Sequence, residues 1–397
     1  MSLRILVITN RLPWPLNDGG NIASYHMIEQ LIKHGHEVSL LSLNTLKHHQ
    51  DPLALMDKFP VETVDIDTSL TFFGLLKGLF QRFPYNVQRF QSVAFRKKIR
   101  ELLRVGKFDA VQFEGIYLSI YMDVLKEFRG VKRILRPHNV EHRIWSRLAS
   151  AEKNPIKRIY LQTLTPKIER FEREHLHDFD GIAAITPEDA LWFRDNGFSG
   201  NLKTVPAGVD LQKFYFNTNR TNALSVRFLG SLEWMPNRQG LLWFLESVWP
   251  ELRRRFPELI FHVAGKNPPL GFLASPPDGV VMHGEVADAA DFMGEGGIMV
   301  VPLMAGGGMR LKIVEAMACG LCVVSTVVGA EGIAAQDGQS IVVAQGADEW
   351  LERLTALCQD EQLRISIGRQ GRTLAERNFG WDATGDSMNL FYAEVMG

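Results

Sequence analysis

Three consecutive glycines, Gly306, Gly307 and Gly308, stand just ahead of Arg310 and Lys312, and Glu315 follows one helical turn later. The apolar run before them, Ile298 to Val301, reads as a buried strand that Pro302 ends. MRLKIVEAMA has the period of a helix of about ten residues. Gly320 falls where a left-handed cap belongs, and CVVST reads as the next buried strand. Strand, glycine loop, helix and strand make one parallel crossover unit. The glycines leave backbone N–H groups bare at a helix N-terminus, whose partial positive charge attracts phosphate-like anions. Arg310 and Lys312 add full positive charge there. The Glu315 carboxylate can accept bonds from two neighbouring sugar hydroxyls. Diphosphate on the loop and ribose on the carboxylate define a nucleotide site. The alternative is a structural crossover with solvated charges, but three glycines in a row cost backbone entropy without such a reason.

A second informative stretch is RPHNVEH, residues 136–142. Pro137 ends a strand, so His138 falls at a strand C-terminus, where open parallel sheets place their ligands. The same letters fit H-x-x-E-H through His138, Glu141 and His142, a zinc pattern that needs both histidines on one helical face. Pro137 and Asn139 argue instead for a strand-to-helix turn. Asp178-Phe-Asp180 and Asp65-Ile-Asp67 have D-x-D spacing without a context that favours metal, and no metal or resident cofactor is expected. Glu114 ends a strand on the same rim as His138 and suits either an acceptor hydroxyl or a helix N-cap. Gly19 and Gly20 precede a helix expected to start near Asn21, and could let an anion approach. Cys319 and Cys322 form a C-x-x-C without a second pair, which reads as buried thiols.

With 397 residues the chain has room for two or three domains, and 46% hydrophobic with 22% charged residues is a globular composition. A net charge of −1 argues against a general nucleic-acid binder. No apolar run reaches membrane-span length, and MSLRILVITNR lacks the features of a signal peptide, so a cytoplasmic protein is expected. Short apolar runs alternate with helical patterns throughout. RILVITN, EVSLLSLN, VETVDID, DAVQFE, KRILRPHN, GIAAIT and KTVPAG form one series; SVRFLGS, LIFHVAG, GVVMHG, GIMVVP, LCVVST and QSIVVA form another. DLQKFYFNTNRT reads as the linker between them. The expected architecture is α/β: two doubly wound, Rossmann-like domains facing a central cleft.

The segment GGGMRLKIVEAMACGLCVVST with GAEGI resembles the donor site of family-4 retaining glycosyltransferases of the GT-B fold, and the resemblance spans nearly the whole chain. AGVD at 207–210 is similar to the family's interdomain Gly-Val-Asp, and LGSLEWMPN at 229–237 occupies the place of its first strand-loop of the second domain. The resemblance implies domains at 1–207, on the acceptor side, and 208–375, binding the nucleotide sugar. A final helix in 376–397 would cross back to the first domain. It implies that Glu315 grips the ribose, that Gly19 and Gly20 face the donor phosphates, and that His138 touches the transferred sugar and the leaving phosphate. Two departures stand out. The family's first glutamate falls at Gly307, and its cationic pair falls at Ser231 and Pro236. Arg310 and Lys312 are therefore expected to hold the diphosphate, with Arg238 in a lesser role. The donor set is Gly19, Gly20, Ser231, Gly307, Gly308, Arg310, Lys312 and Glu315; the catalytic residue is His138, with Glu114 on the acceptor side.

The implied activity is retaining, metal-independent transfer from a UDP- or GDP-sugar to a glycan or lipid-linked acceptor, in cell-surface polysaccharide or glycolipid synthesis. Two other readings fit the same fold: a nucleotide-sugar 2-epimerase and a non-catalytic nucleotide-sugar-binding protein. The acceptor side has one further feature. Leu70 to Phe83, LTFFGLLKGLFQRF, has Phe and Leu on one helical face. From Thr71 to Lys107 there are nine Lys/Arg and one Asp/Glu, a local charge of 9 − 1 = +8. A basic amphipathic segment of this kind suits an anionic membrane surface, and equally a core helix followed by a solvated basic face.

Overall fold

In a computed structural model, residues 2–69, 71, 81, 83–152, 154–216, 224–268 and 275–397 are described. The chain forms two compact units, one of residues 1–207 with 384–397 and the other of residues 208–383. The last helix, Trp381–Met396, begins in the second unit and from Thr384 onward belongs to the first.

The first unit is built on seven parallel strands: β1 (Arg4–Thr9), β2 (Glu37–Thr45), β3 (Val61–Ile66), β4 (Ala110–Glu114), β5 (Lys132–Arg136), β6 (Gly181–Ala184) and β7 (Asn201–Thr204), in the order β3-β2-β1-β4-β5-β6-β7. The strand order reverses between β1 and β4, which is where such sheets open a crevice at their C-terminal ends. Successive side chains leave a strand on opposite faces. Leu6 and Ile8 accordingly enter one core with Leu43, Val111 and Phe113, whereas Ile5 and Val7 enter the other with Met27, Ile28 and Leu31. That second core is closed by Met388, Phe391, Tyr392 and Val395 of the last helix. Its ring and methyl groups come so near β6 that a Cβ on Gly181 would lie 2.7 Å from Val395 Cγ2 and 2.8 Å from Phe391 Cζ.

The second unit has six parallel strands: β8 (Ser225–Leu229), β9 (Ile260–Ala264), β10 (Val280–Gly284), β11 (Ile298–Val301), β12 (Cys322–Ser325) and β13 (Val342–Val343), in the order β10-β9-β8-β11-β12-β13. β11 and β12 are buried along their whole lengths, which is why they read as unbroken apolar runs.

The first helix spans Gly19–Lys33, two residues earlier than expected, because the Asp18 side chain caps it by accepting from the amides of Gly20 and Asn21. Phe72, Phe73 and most of the amphipathic stretch lie outside the described residues, but Phe83 packs edge-on against Phe171, with ring centres 5.7 Å apart. In the helix Val93–Gly106 that follows, Arg96 pairs with Asp123, Lys98 with Glu62 and Arg100 with Glu127. Three of the nine basic residues of the stretch are thus met by acids of the same unit. Among the described residues no helix is long and apolar enough to cross a membrane.

Gly181→Ala forces Phe391 and Val395 off the sheet. Overpacking of this kind costs about 1–3 kcal/mol, so a lower urea midpoint and faster proteolysis within the last helix are expected; an unchanged midpoint would show that the helix yields freely.

Candidate functional site

The second unit gathers a charged cluster where β8 and β11 end. The helix after the glycines is Leu311–Ala318, beginning two residues later than the sequence pattern suggests. Gly306 (φ +137°) and Gly308 (φ +67°) turn the chain, and Arg310 stands at the helix N-cap in extended conformation. Arg310 is folded back on its own loop: it is buried, donates to the carbonyl of Gly307, and lies over the Trp234 ring, 5.5 Å from its centre. The guanidinium therefore shapes the loop from inside. At the far end Gly320 (φ +69°) closes a Schellman motif, in which Gly320 N–H bonds Met317 O and Leu321 N–H bonds Ala316 O.

Lys312, in the first turn, reaches the end of β8. Its ammonium donates to the carbonyl of Leu229 at 2.9 Å and to Asn237 Oδ1 at 2.7 Å, and sits 5.2 Å from the centre of the Phe228 ring. The amide of Asn237 in turn donates to the carbonyl of Ser231 at 3.0 Å, so one buried asparagine ties the Ser231 loop to Lys312. Burial and the neighbouring Arg310 pull Lys312 down to about 7, against the attraction of Glu315. Burial pushes Glu315 up to about 7, against Lys213 and Lys312. Among the described residues no group donates a hydrogen bond to the Glu315 carboxylate, which leaves both oxygens for a ligand. Lys213, held at 3.0 Å by Asp288, completes the charged surroundings of Glu315. Asn237 and Trp234 were not anticipated; the signal was Pro236, which starts a helix and so puts Asn237 in its first turn.

In the first unit Glu114 and His138 meet. Glu114 is buried at the end of β4, and Oε2 accepts from His138 Nε2 at 2.6 Å, Arg136 Nη1 at 3.0 Å and Ser24 Oγ at 2.9 Å. Oε1 accepts from Gln112 Nε2 at 2.5 Å, and Gln112 Oε1 accepts from Tyr392 of the last helix at 2.7 Å. Burial would raise the Glu114 carboxyl; the wholly buried Arg136 and the bonds from His138 and Ser24 outweigh it and hold the group at about 2. Glu114 caps no helix, and its oxygens are taken up by bonds within the unit. It is an ionised anchor that orients His138. The other face of the ring lies against the first helix, where a Cβ on Gly20 would stand 3.6 Å from His138 Nδ1. The Gly20 amide itself is occupied by Asp18, which also pairs with Arg11 at 2.6 Å. Gly19 is exposed in the same turn.

His142 belongs to a different group. It lies in the helix Glu141–Ala151, donates from Nδ1 to buried Glu172 at 2.7 Å, and Glu172 also accepts the amides of Glu141 and His142. His138 lies outside that helix. Burial and the adjacent Glu172 push Glu141 up to about 7. Asp178 pairs with Lys126 and Asp180 with Arg133, on either side of buried Phe179. Cys319 and Cys322 are buried thiols, Cys322 pushed by burial up to about 12.

These two sheets and their loops are a fold seen before. Sucrose-phosphate synthase from Thermosynechococcus elongatus superposes with a TM-score of 0.73 at 15% identity over 99% of each chain. Anabaena Alr3699/HepE, solved in complex with UDP and glucose, superposes with 0.67 at 14% identity, covering 98% of this chain and 99% of that one. An uncharacterized 44.6 kDa protein in the cps region of Klebsiella pneumoniae is 23% identical over 359 residues, 86% of this chain and 87% of that protein. The architecture is thus that of the GT-B glycosyltransferases. Residues 17–213 match Glycosyltransferase Family 4 and residues 223–360 match Glycosyl transferases group 1. The chain belongs to this family and is a glycosyltransferase.

The lowered Lys312 has a consequence for stability. Between pH 7 and the ordinary lysine range, the unfolded chain holds a proton on Lys312 that the folded chain has lost. Stability from this residue therefore rises with pH. Lys312→Met should remove that rise: the difference in urea stability between variant and wild type should shift against the variant from pH 7 to pH 9. A difference that stays constant would mean that Lys312 keeps its proton throughout.

Proposed function

We propose that the chain is a retaining, metal-independent enzyme that moves a sugar from a nucleoside-diphosphate sugar to a glycan or lipid-linked acceptor in cell-surface polysaccharide or glycolipid synthesis. The observation that carries this reading is the cluster at the end of β8 and β11. It combines an ammonium held between Leu229 and Asn237 with a carboxylate, Glu315, that accepts no bond from the described residues. The ammonium supplies charge for a diphosphate, and the carboxylate supplies paired acceptors for ribose hydroxyls. The Anabaena neighbour, solved with UDP and glucose, supports a uridine or similar nucleotide as donor.

In this reading Lys312, Ser231, Gly307 and Gly308 surround the diphosphate, and Arg310 fixes their loop. Burial keeps Lys312 close to losing its proton, so an arriving diphosphate draws the proton back and the charge appears where it is needed. The diphosphate oxygen that leaves the anomeric carbon takes the proton of the acceptor hydroxyl on the same face, and the new glycosidic bond keeps the configuration of the old one. No protein nucleophile is required. His138 is the catalytic residue, held at a fixed angle by Glu114, and supports the departing phosphate.

Calorimetry with UDP and GDP tests the donor assignment. Hydrogen bonds to a charged group contribute about 1.5–3 kcal/mol each, so Glu315→Ala should weaken the preferred nucleotide at least tenfold with the fold intact. Undiminished affinity would remove the ribose contact. His138→Ala should lower turnover about 10²-fold or more with donor affinity little changed, and full turnover would remove its catalytic role. Incubation of the sugar nucleotide without acceptor should yield no isomerised sugar; an isomer would mark an epimerase.

A further inference from the structure

Arg89 follows the short helix Tyr85–Gln88 in the first unit. Its guanidinium lies over the Phe90 ring, 4.9 Å from the centre. Nε is shut off from solvent and, among the described residues, has no hydrogen-bond partner. Among the described residues no carboxylate pairs with this side chain. The groups that act on its charge are the phenols of Tyr85, Tyr117 and Tyr160, none of them an anion at neutral pH, and burial pulls Arg89 below the usual arginine range. Arg136 and Arg133 of the same unit, by contrast, pair with carboxylates, Glu114 and Asp180. Withdrawing a guanidinium from water without an anion is unfavourable. Aromatic packing against Phe90 offsets part of that cost and supplies no acceptor.

The surroundings are aromatic. Buried Phe90 stacks on Tyr117 with ring centres 6.2 Å apart at 22°. Tyr117 lies three residues beyond Glu114, just past the end of β4. Its hydroxyl donates to Glu141 at 2.8 Å and accepts from Trp145 Nε1 at 3.1 Å, both on the helix that follows His138. Arg89 therefore borders the same C-terminal rim of the first sheet as His138 and Glu114, and shares its unit. The planar fork of arginine matches two oxygens of one carboxylate or phosphate.

We infer that Arg89, set against Phe90 and Tyr117, is the subsite for an anionic group, carboxylate or phosphate, carried by the acceptor sugar. This inference rests on the glycosyl-transfer reading above and deepens its acceptor side. It makes the acceptor an acidic or phosphorylated glycan unit.

The test is titration of the full chain with glucuronate, glucose 6-phosphate and glucose, followed by ligand-observed NMR. Both anionic sugars, or one of them, should bind at least about tenfold more tightly than glucose, with the winner telling carboxylate from phosphate. Arg89→Gln should erase the preference while glucose binding and melting temperature change little. Arg89→Lys, which keeps the charge and the contact with Phe90 but loses the fork, should lower anionic-sugar affinity and leave glucose unchanged; it decides the matter if Arg89→Gln fails to fold. Equal binding of charged and neutral sugars, or a folded Arg89 variant that keeps the full preference, overturns the subsite and leaves Arg89 as packing. UDP titration of the same wild-type sample separates the two readings. UDP binding without charge preference removes the subsite alone. Arg89-dependent binding of an anionic sugar without UDP binding sustains the subsite and removes the donor assignment.

Discussion

An ammonium taken out of water at the end of a parallel strand is the constraint around which the second unit's site is arranged. Lys312 can stay there only because Leu229 and Asn237 offer oxygens and Phe228 offers a ring face. Those partners fix the loop after β8, since Asn237 also holds the carbonyl of Ser231. The glycine loop is fixed from its other side by Arg310, which uses its charge on the carbonyl of Gly307 and the face of Trp234. Two cations thus do different things: one sets the loop, the other is held at the edge of losing its proton.

The first unit solves the opposite problem, a buried carboxylate. Arg136 keeps Glu114 ionised, and the ionised Glu114 decides which nitrogen of His138 points inward. The network continues through Gln112 to Tyr392. The last helix of the chain is therefore coupled to the orientation of a candidate catalytic residue that lies far from it in sequence. Glu172 acts similarly on the helix after His138, by capping its first amides with a carboxylate.

The alternation of apolar runs with helical patterns made the thirteen strands and their parallel arrangement legible, because strands buried on both faces leave no choice of residue. The places of Glu315, Lys312 and His138 beside strand ends were legible because glycines and a proline mark those ends. The direction of Arg310 was not legible. Sequence gives its charge but not its direction, and its partners, Gly307 and Trp234, depend on the path of a glycine loop. Asn237, Arg136 and Gln112 were invisible for a related reason. A buried polar residue is recognised by its partners, and those lie on strands or helices distant in the chain. The helix starts at Gly19 and Leu311 were each off by two residues, because Asp18 caps through its side chain and Arg310 caps in extended conformation.

The central claim is that the nucleotide sits on the second unit, against the loop after β11 and the helix Leu311–Ala318. Hydrogen–deuterium exchange with and without saturating UDP measures this directly. The account predicts slower exchange concentrated in residues 302–315 and in residues 230–238. Protection confined to the first unit, or absent from 302–315 while UDP is demonstrably bound, would contradict it.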